Sequence, residues 1–370
     1  MESIKTQDIA NILGSNVQNV DIQLDKFSTF ALDYRLLTEV EEKKTISKIH
    51  GQLEQPGLTV SGKNDPTRWE VGWEEILQSL EENPFRPELL RPQYFKYDIL
   101  RLQNKFIKAS NIDFEYNFFS LLRKIILKKF LSPYSQIIEF GCGTGGNLYA
   151  LRNLFPKASL TGCDWTKSSL KILDIISQNV CKKIEGKRFN MLTLEGKENI
   201  KLNQDTAIIT IHSMEQLGSS FLPILDYLVS QKPGLVFHLE PILELYDSEN
   251  PFDTLAIKYH KKKNYLNGYL PTLEELEQKK YTSDARTFIH RKGFSSGNLV
   301  KLPEFKSLIN DITRLINNEL ALTFRRKGKY PNFAKNPNHY FVTDDVWTVI
   351  WRKGDFNAPH RHPGHHIAGA

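Results

Sequence analysis

Apolar residues in the middle of this chain come in short, nearly unbroken runs. Ile137-Ile138-Glu139-Phe140, Ser159–Asp164, Asp205–Ile211 and Leu235-Val236-Phe237-His238-Leu239 each read as a strand, and the third as one buried on both faces. Between and before them the spacing is helical. From Tyr97 onward the pattern predicts helix, with Phe114, Phe118, Leu121, Leu122, Ile125 and Ile126 on one face as far as the breaker Ser132-Pro133. Asp65–Leu77 reads as a turn into a helix, and Glu82-Asn83-Pro84 and Arg91-Pro92 break the next stretch of chain into short pieces. Residues 1–63 lack clear periodicity and are expected to be partly flexible. Pro303 opens an amphipathic helix carrying Phe305, Leu308, Ile309, Ile312, Leu315, Ile316 and Leu320 on one face, and a β-rich stretch begins at Phe341. The pattern predicts an α/β chain with a central, mostly parallel sheet covered on both faces. It divides into a partly helical N-terminal region (1–95), the α/β domain (96–296) and an incomplete β-rich C-terminal module (297–370).

The first run ends in Glu139 and passes directly into Gly141-Cys142-Gly143-Thr144-Gly145-Gly146-Asn147. Glycines suit a tight turn needing positive φ and a backbone that approaches a ligand with no Cβ in between. The helix after the glycines points free N–H groups at that ligand. The next strand ends in Asp164, where a carboxylate can accept both hydroxyls of a ribose, and Trp165 can lie against the adenine or ribose. Gly141, Gly143 and Gly146 also satisfy G-x-G-x-x-G, so a nicotinamide-dependent oxidoreductase is an alternative at this point.

An acid two residues before G-x-G-x-G (Glu139, then Gly141, Gly143 and Gly145) resembles the first motif of the class I S-adenosylmethionine-dependent methyltransferases. The resemblance continues through Asp164, the Arg188-Phe189-Asn190-Met191 loop, the His212-Ser213-Met214-Glu215-Gln216 segment and the Lys232-Pro233-Gly234 turn into the fifth strand. It implies a Rossmann-like fold and S-adenosylmethionine as cofactor. The cofactor would be held by Glu139, Gly141, Cys142, Gly143, Gly145, Asn147, Asp164, Trp165, Asn190, Met191 and His212. Asn190 stands where the family more often has Asp. His212, His238 and Glu240 lie near the C-terminal ends of the fourth and fifth strands and are the candidate bases, with Glu215 behind them. The expected reaction moves a methyl group to an oxygen or nitrogen of a small-molecule or sugar-like acceptor. Substrate contacts are expected from Tyr246 to about Lys280, around Tyr259-His260-Lys261 and Tyr265–Tyr269. Tyr97, Arg101 and Tyr116 are further cover residues, and a degenerate domain serving as a scaffold is a third reading.

Composition narrows the setting. No apolar run approaches the ~18 residues of a membrane span, and the first residues lack a signal peptide's basic and apolar parts. The 3 cysteines are too few for a disulfide scaffold, and Cys142 and Cys163 lie inside the motifs, so reduced thiols in the cytoplasm are expected. A net charge of +6 gathers partly in Lys258–Lys263 and Arg325–Lys329; these runs read as solvated faces rather than a nucleic-acid surface.

From about residue 297 the chain resembles the start of a 2-oxoglutarate and iron(II)-dependent, prolyl-hydroxylase-like oxygenase domain, a double-stranded β-helix. Lys353-Gly354-Asp355-Phe356-Asn357, Pro359-His360-Arg361-His362-Pro363 and His366-Ile367-Ala368-Gly369 carry that resemblance. It implies Fe(II), with His360 or His362 as first ligand. The chain stops at Ala370, before a distal histidine, so a truncated or split fusion with weak or no iron binding is expected.

Overall fold

The computed structural model describes residues 1–12, 32–54, 60–102 and 105–278, and beyond them only short strand segments. The strands of the main body are β1 (Glu2–Ser3), β2 (Asp33–Leu36), β3 (Ile99–Leu102), β4 (Lys105–Ala109), β5 (Gln136–Phe140), β6 (Ser159–Asp164), β7 (Ile184–Arg188), β8 (Thr206–Ile211) and β9 (Leu235–Leu239). The helices are α1 (Thr6–Ile12), α2 (Glu39–Glu54), α3 (Thr67–Glu82), α4 (Phe114–Leu131), α5 (Gly146–Leu154), α6 (Lys167–Gln178), α7 (Leu222–Gln231), α8 (Pro251–Lys263) and α9 (Tyr269–Gln278).

Strands β5 to β9 form a parallel sheet in the order β9-β8-β5-β6-β7. Neighbouring residues on a strand face opposite layers, and both layers are apolar. Ile137, Ile209 and Phe237 pack with Phe118, Leu148 and Leu173, whereas Ile138, Ile208 and Val236 pack with Ile224, Leu225 and Leu228. Burial on both faces is why these strands read as unbroken apolar runs. The chain leaves β5 toward β6 and β7, then crosses back to β8 and β9. The crevice outside β5 and β8 is therefore the switch point at which open α/β sheets bind ligands. Val349–Arg352 runs antiparallel to β9 and extends that edge.

One expectation is corrected. The segment after Tyr97 is not yet helical: β3 and β4 form a hairpin in a small antiparallel sheet ordered β1-β2-β4-β3. Leu100, Leu102, Phe106 and Ile107 are buried there, and the helical rhythm starts only at Phe114. The break at Ser132-Pro133 holds, since α4 ends at Leu131. The N-terminal residues carry strand β1 before α1 and strand β2 before α2, with α3 following. The helix expected from Pro303, and the side chains of the oxygenase-like module including His360 and His362, lie outside the described residues.

Candidate active site

After Phe140 the backbone turns through Gly141 (φ +70°), Gly143 (φ +50°) and Gly145 (φ +69°) into α5. A Cβ on Gly141 would stand 2.4 Å from the Ser213 Cβ, and one on Gly143 would stand 3.0 Å from the Trp73 ring. Both the conformation and the space call for glycine. The loop is tied to β6: Gly141 and Cys142 N–H donate to the Cys163 carbonyl at 2.8 and 3.1 Å. Gly143 N–H donates to Asp164 Oδ2 at 2.9 Å, and Asp164 Oδ1 accepts from the Thr166 N–H and hydroxyl at 2.9 and 2.8 Å. Burial raises the Asp164 carboxyl above its ordinary range, against the pull of those donors.

Glu139 lies beneath the loop, fully buried. Its Oε1 accepts from the Asn147 amide, whose own oxygen accepts from Arg123 on α4. Oε2 has no partner. Burial pushes this carboxyl up to about 8, opposed by Asn147 and Arg123 and reinforced by Asp164. An orphaned carboxylate oxygen under a glycine loop fits a ligand bearing an ammonium group.

A pocket of about 930 Å³, counting the part open to solvent, lies over this floor. Gly141, Gly143, Asp164, Trp165, Asn190, Met191 and His212 line it. Glu139, Cys142, Gly145 and Asn147 lie outside that lining. Burial drives the Cys142 thiol far above its ordinary range, which keeps it neutral and unreactive. Asn190 Oδ1 accepts the Leu192 and Thr193 N–H at 2.8 and 3.3 Å while its amide nitrogen donates to Asn64. Its side chain is thus already engaged in bracing the loop after β7.

The outer wall comes from a part of the chain in which no motif marked a site. Ser61, Gly62, Lys63, Asp65, Arg68, Trp69 and Trp73 all line the pocket. Trp69 and Trp73 stack at 5.5 Å on one face of α3. Glu70 caps the N-terminus of α6, accepting the Lys167 and Ser168 N–H at 2.8 Å each. The spacing of Trp69 and Trp73, four residues apart beside a carboxylate, was the available signal. Of the other cover candidates, Arg101 bonds to the Phe252 carbonyl, Tyr116 packs on Phe95, and Tyr97 is exposed. None of these three is among the lining residues.

His212 comes just after β8 with φ +56°, a left-handed conformation uncommon for a residue with a side chain. Its N–H bonds the Leu239 carbonyl at 3.0 Å. Glu240 holds the next turn, accepting the Ser213, Met214 and Glu215 N–H at 3.1, 3.1 and 3.2 Å. Burial and the neighbouring Glu215 push the Glu240 carboxyl up to about 7. The His212 Nδ1 faces Glu215 Oε2 at 3.4 Å, and its Nε2 is buried with no partner. Burial pulls this imidazole down, but the Glu215 hydrogen bond and the Glu215, Glu240 and Glu115 charges outweigh it, and the net shift is upward. His238 is fully buried in β9, bonded to the Thr210 hydroxyl at 2.7 Å, and burial drops its pKa to about 3. Neither His238 nor Glu240 is among the lining residues. Among the described residues no group of three or more His, Cys, Asp or Glu could hold a metal ion, and no helix is long and apolar enough to cross a membrane.

No family model matches the chain, and no curated protein does. Solved structures do. The plantazolicin methyltransferase BpumL in complex with SAH is 14% identical, covering 82% of this chain and 98% of that one, with a TM-score of 0.39. The methyltransferase domain of a bacterial Hen1 is 18% identical over 47% of this chain and 86% of that one, at 0.34. PKMT2 from Rickettsia typhi, in complex with AdoHcy, is 21% identical over 29% and 21%, at 0.24. Superpositions this loose do not carry a function to this chain.

Proposed function

We propose that this chain is an S-adenosylmethionine-dependent methyltransferase acting on a nitrogen or oxygen of a small-molecule acceptor. One observation carries the reading: the C-terminal ends of four parallel strands bring Gly141, Gly143, Asp164, Asn190 and His212 to one pocket at the switch point of the sheet. Asp164 would accept the ribose hydroxyls, and Glu139 would pair with the amino-acid ammonium. Trp165 and Met191 would face the adenine, while Asn190 fixes the loop beneath it.

S-adenosylmethionine, bound there, supplies a methyl group on a positively charged sulfur that any nucleophile held in line can take. The chain's own residues do the rest. Trp69 and Trp73 exclude water from the glycine loop. His212, with Nδ1 turned to Glu215, offers the Nε2 lone pair to a proton leaving the acceptor. Glu240 sets the turn that holds His212 and Glu215 in place, and His238 stays neutral inside the sheet.

Equilibrium dialysis with methyl-labelled S-adenosylmethionine tests the reading. The wild-type chain should retain the label at micromolar concentration, and Asp164→Ala should weaken retention by about tenfold or more through the lost charge-assisted hydrogen bonds. No retention by the wild type would overturn it.

A further inference from the structure

Residues 60–73 cross the mouth of the pocket as a strap. Ser61 N–H donates to the Lys263 carbonyl and Gly62 N–H to the Gln216 carbonyl, both at 2.8 Å. The Ser61 hydroxyl donates to Gln216 Oε1 at 2.9 Å, and the Asn264 amide donates to the Ser61 carbonyl at 2.9 Å. Gly62 has φ +87°, and a Cβ there would stand 3.2 Å from the Leu217 carbonyl oxygen, so the strap lies close against the loop after β8. Two residues on, Asn64 Oδ1 accepts from Asn190 at 2.8 Å. Lys63 is therefore pinned on one side to the loop after β8 and on the other to the loop after β7. The strap then enters α3, which Glu70 ties to α6.

This strap carries positive charge onto the pocket. Lys63 and Arg68 both line it, and among the described residues neither forms an ion pair. The carboxylates on the same lining are already engaged. Asp164 is taken up by Gly143 and Thr166, and Asp65 Oδ1 accepts the Thr67 N–H at 3.0 Å. The Arg68 guanidinium lies over the Trp69 ring, 4.9 Å from its centroid, which holds the cation beside an apolar surface. Lys263, whose carbonyl fastens Ser61, is a third cation, only 4% exposed. Burial and the Arg68 charge lower its ammonium, against the pull of Glu215. A bound anion relieves cations placed in this way, and the apolar Val60, Trp69 and Leu217 on the same lining concentrate their field.

We propose that the methyl acceptor carries an anionic group, a carboxylate or a phosphate, on an apolar stem. The anion docks at Lys63 and Arg68, the stem lies along Trp69, and the nucleophile points toward His212 in the same pocket. The inference rests on the methyltransferase reading of that pocket. The cofactor's own carboxylate shares a carbon with its ammonium, so it stays with Glu139 at the glycine loop, whereas Lys63 is fixed over the loops after β7 and β8.

Calorimetry on the full chain, with S-adenosylhomocysteine present, tests this with three heads on one stem: 2-naphthoate, the neutral 2-naphthamide and 2-naphthyl phosphate. At least one anion should bind about tenfold tighter than the amide, and the tighter anion identifies the group the site takes. In the double variant Lys63→Gln, Arg68→Gln, which replaces two charges by amides at exposed positions, that preference should fall below about threefold. Affinity for S-adenosylhomocysteine, titrated alone into the same variant, should fall by less than the affinity for the anion. Equal affinity for anion and amide in the wild type, or a preference that survives the double variant, would overturn the proposal. So would an equal loss of S-adenosylhomocysteine affinity, which would give the cations to the cofactor's carboxylate. If S-adenosylhomocysteine fails to bind the wild type while the anion preference persists, the cofactor reading falls and the anion site stands.

Discussion

The buried Glu139 makes cofactor binding pH-dependent in a direction that can be worked out. Its carboxyl is raised to about 8 by burial, with Asn147, Arg123 and Asp164 as its charged and polar neighbours. At pH 7 the unliganded carboxyl is therefore mostly protonated. To pair with an ammonium it must ionise, so binding near neutral pH should release about 0.9 proton from this group. The ionised fraction grows with pH, and affinity should rise about twentyfold between pH 6 and 7.5, where the ligand's amine stays charged. Asp164, also raised by burial, adds in the same direction. Calorimetric titration of S-adenosylhomocysteine in buffers of different ionisation enthalpy reads the proton count directly. Glu139→Gln, which keeps the shape and the Asn147 contact, should flatten most of the slope. Affinity that falls with rising pH, or proton uptake on binding, would refute the assignment of Glu139 to the ammonium.

Further expectations concern the loop, the wall and the base. Gly143→Ala combines a left-handed φ with a Cβ 3.0 Å from Trp73; denaturant unfolding should show a loss of about 1–2 kcal/mol from the backbone strain alone. Glu70→Ala removes the cap on α6, worth about 1 kcal/mol, and hydrogen exchange should show α3 opening more often. His212→Gln should cut methyl-transfer turnover by about a hundredfold or more. In the wild type that turnover should rise with pH through a midpoint above 6.5, because the carboxylates facing His212 hold its proton more tightly than water does.

The parallel sheet and the glycine loop were legible because local composition dictates them. Ile137–Gly145 states strand and turn in consecutive residues, and Asp164 comes one short helix later. The hairpin β3–β4 was not legible, since Ile99, Leu100 and Leu102 next to Phe106 and Ile107 can also be read at helical spacing. Periodicity placed a helix near Thr67 but could not say what it covers; Glu70 meets Lys167 nearly a hundred residues away, and only tertiary packing puts Trp73 over Gly143. Strand ends named His238 as a candidate base and Glu240 behind it. Burial separates them, sealing His238 inside the sheet and turning Glu240 onto three backbone N–H groups. The hydrogen-bonding of Asn190 depends on Asn64, whose nearness no local pattern announces.

The most direct test of the central claim is a side-by-side calorimetric titration of S-adenosylhomocysteine and NAD into the wild-type chain at pH 7.5. Micromolar binding of S-adenosylhomocysteine with no heat from NAD is the predicted result. Selective binding of NAD would contradict it and return the glycine loop to a nicotinamide enzyme.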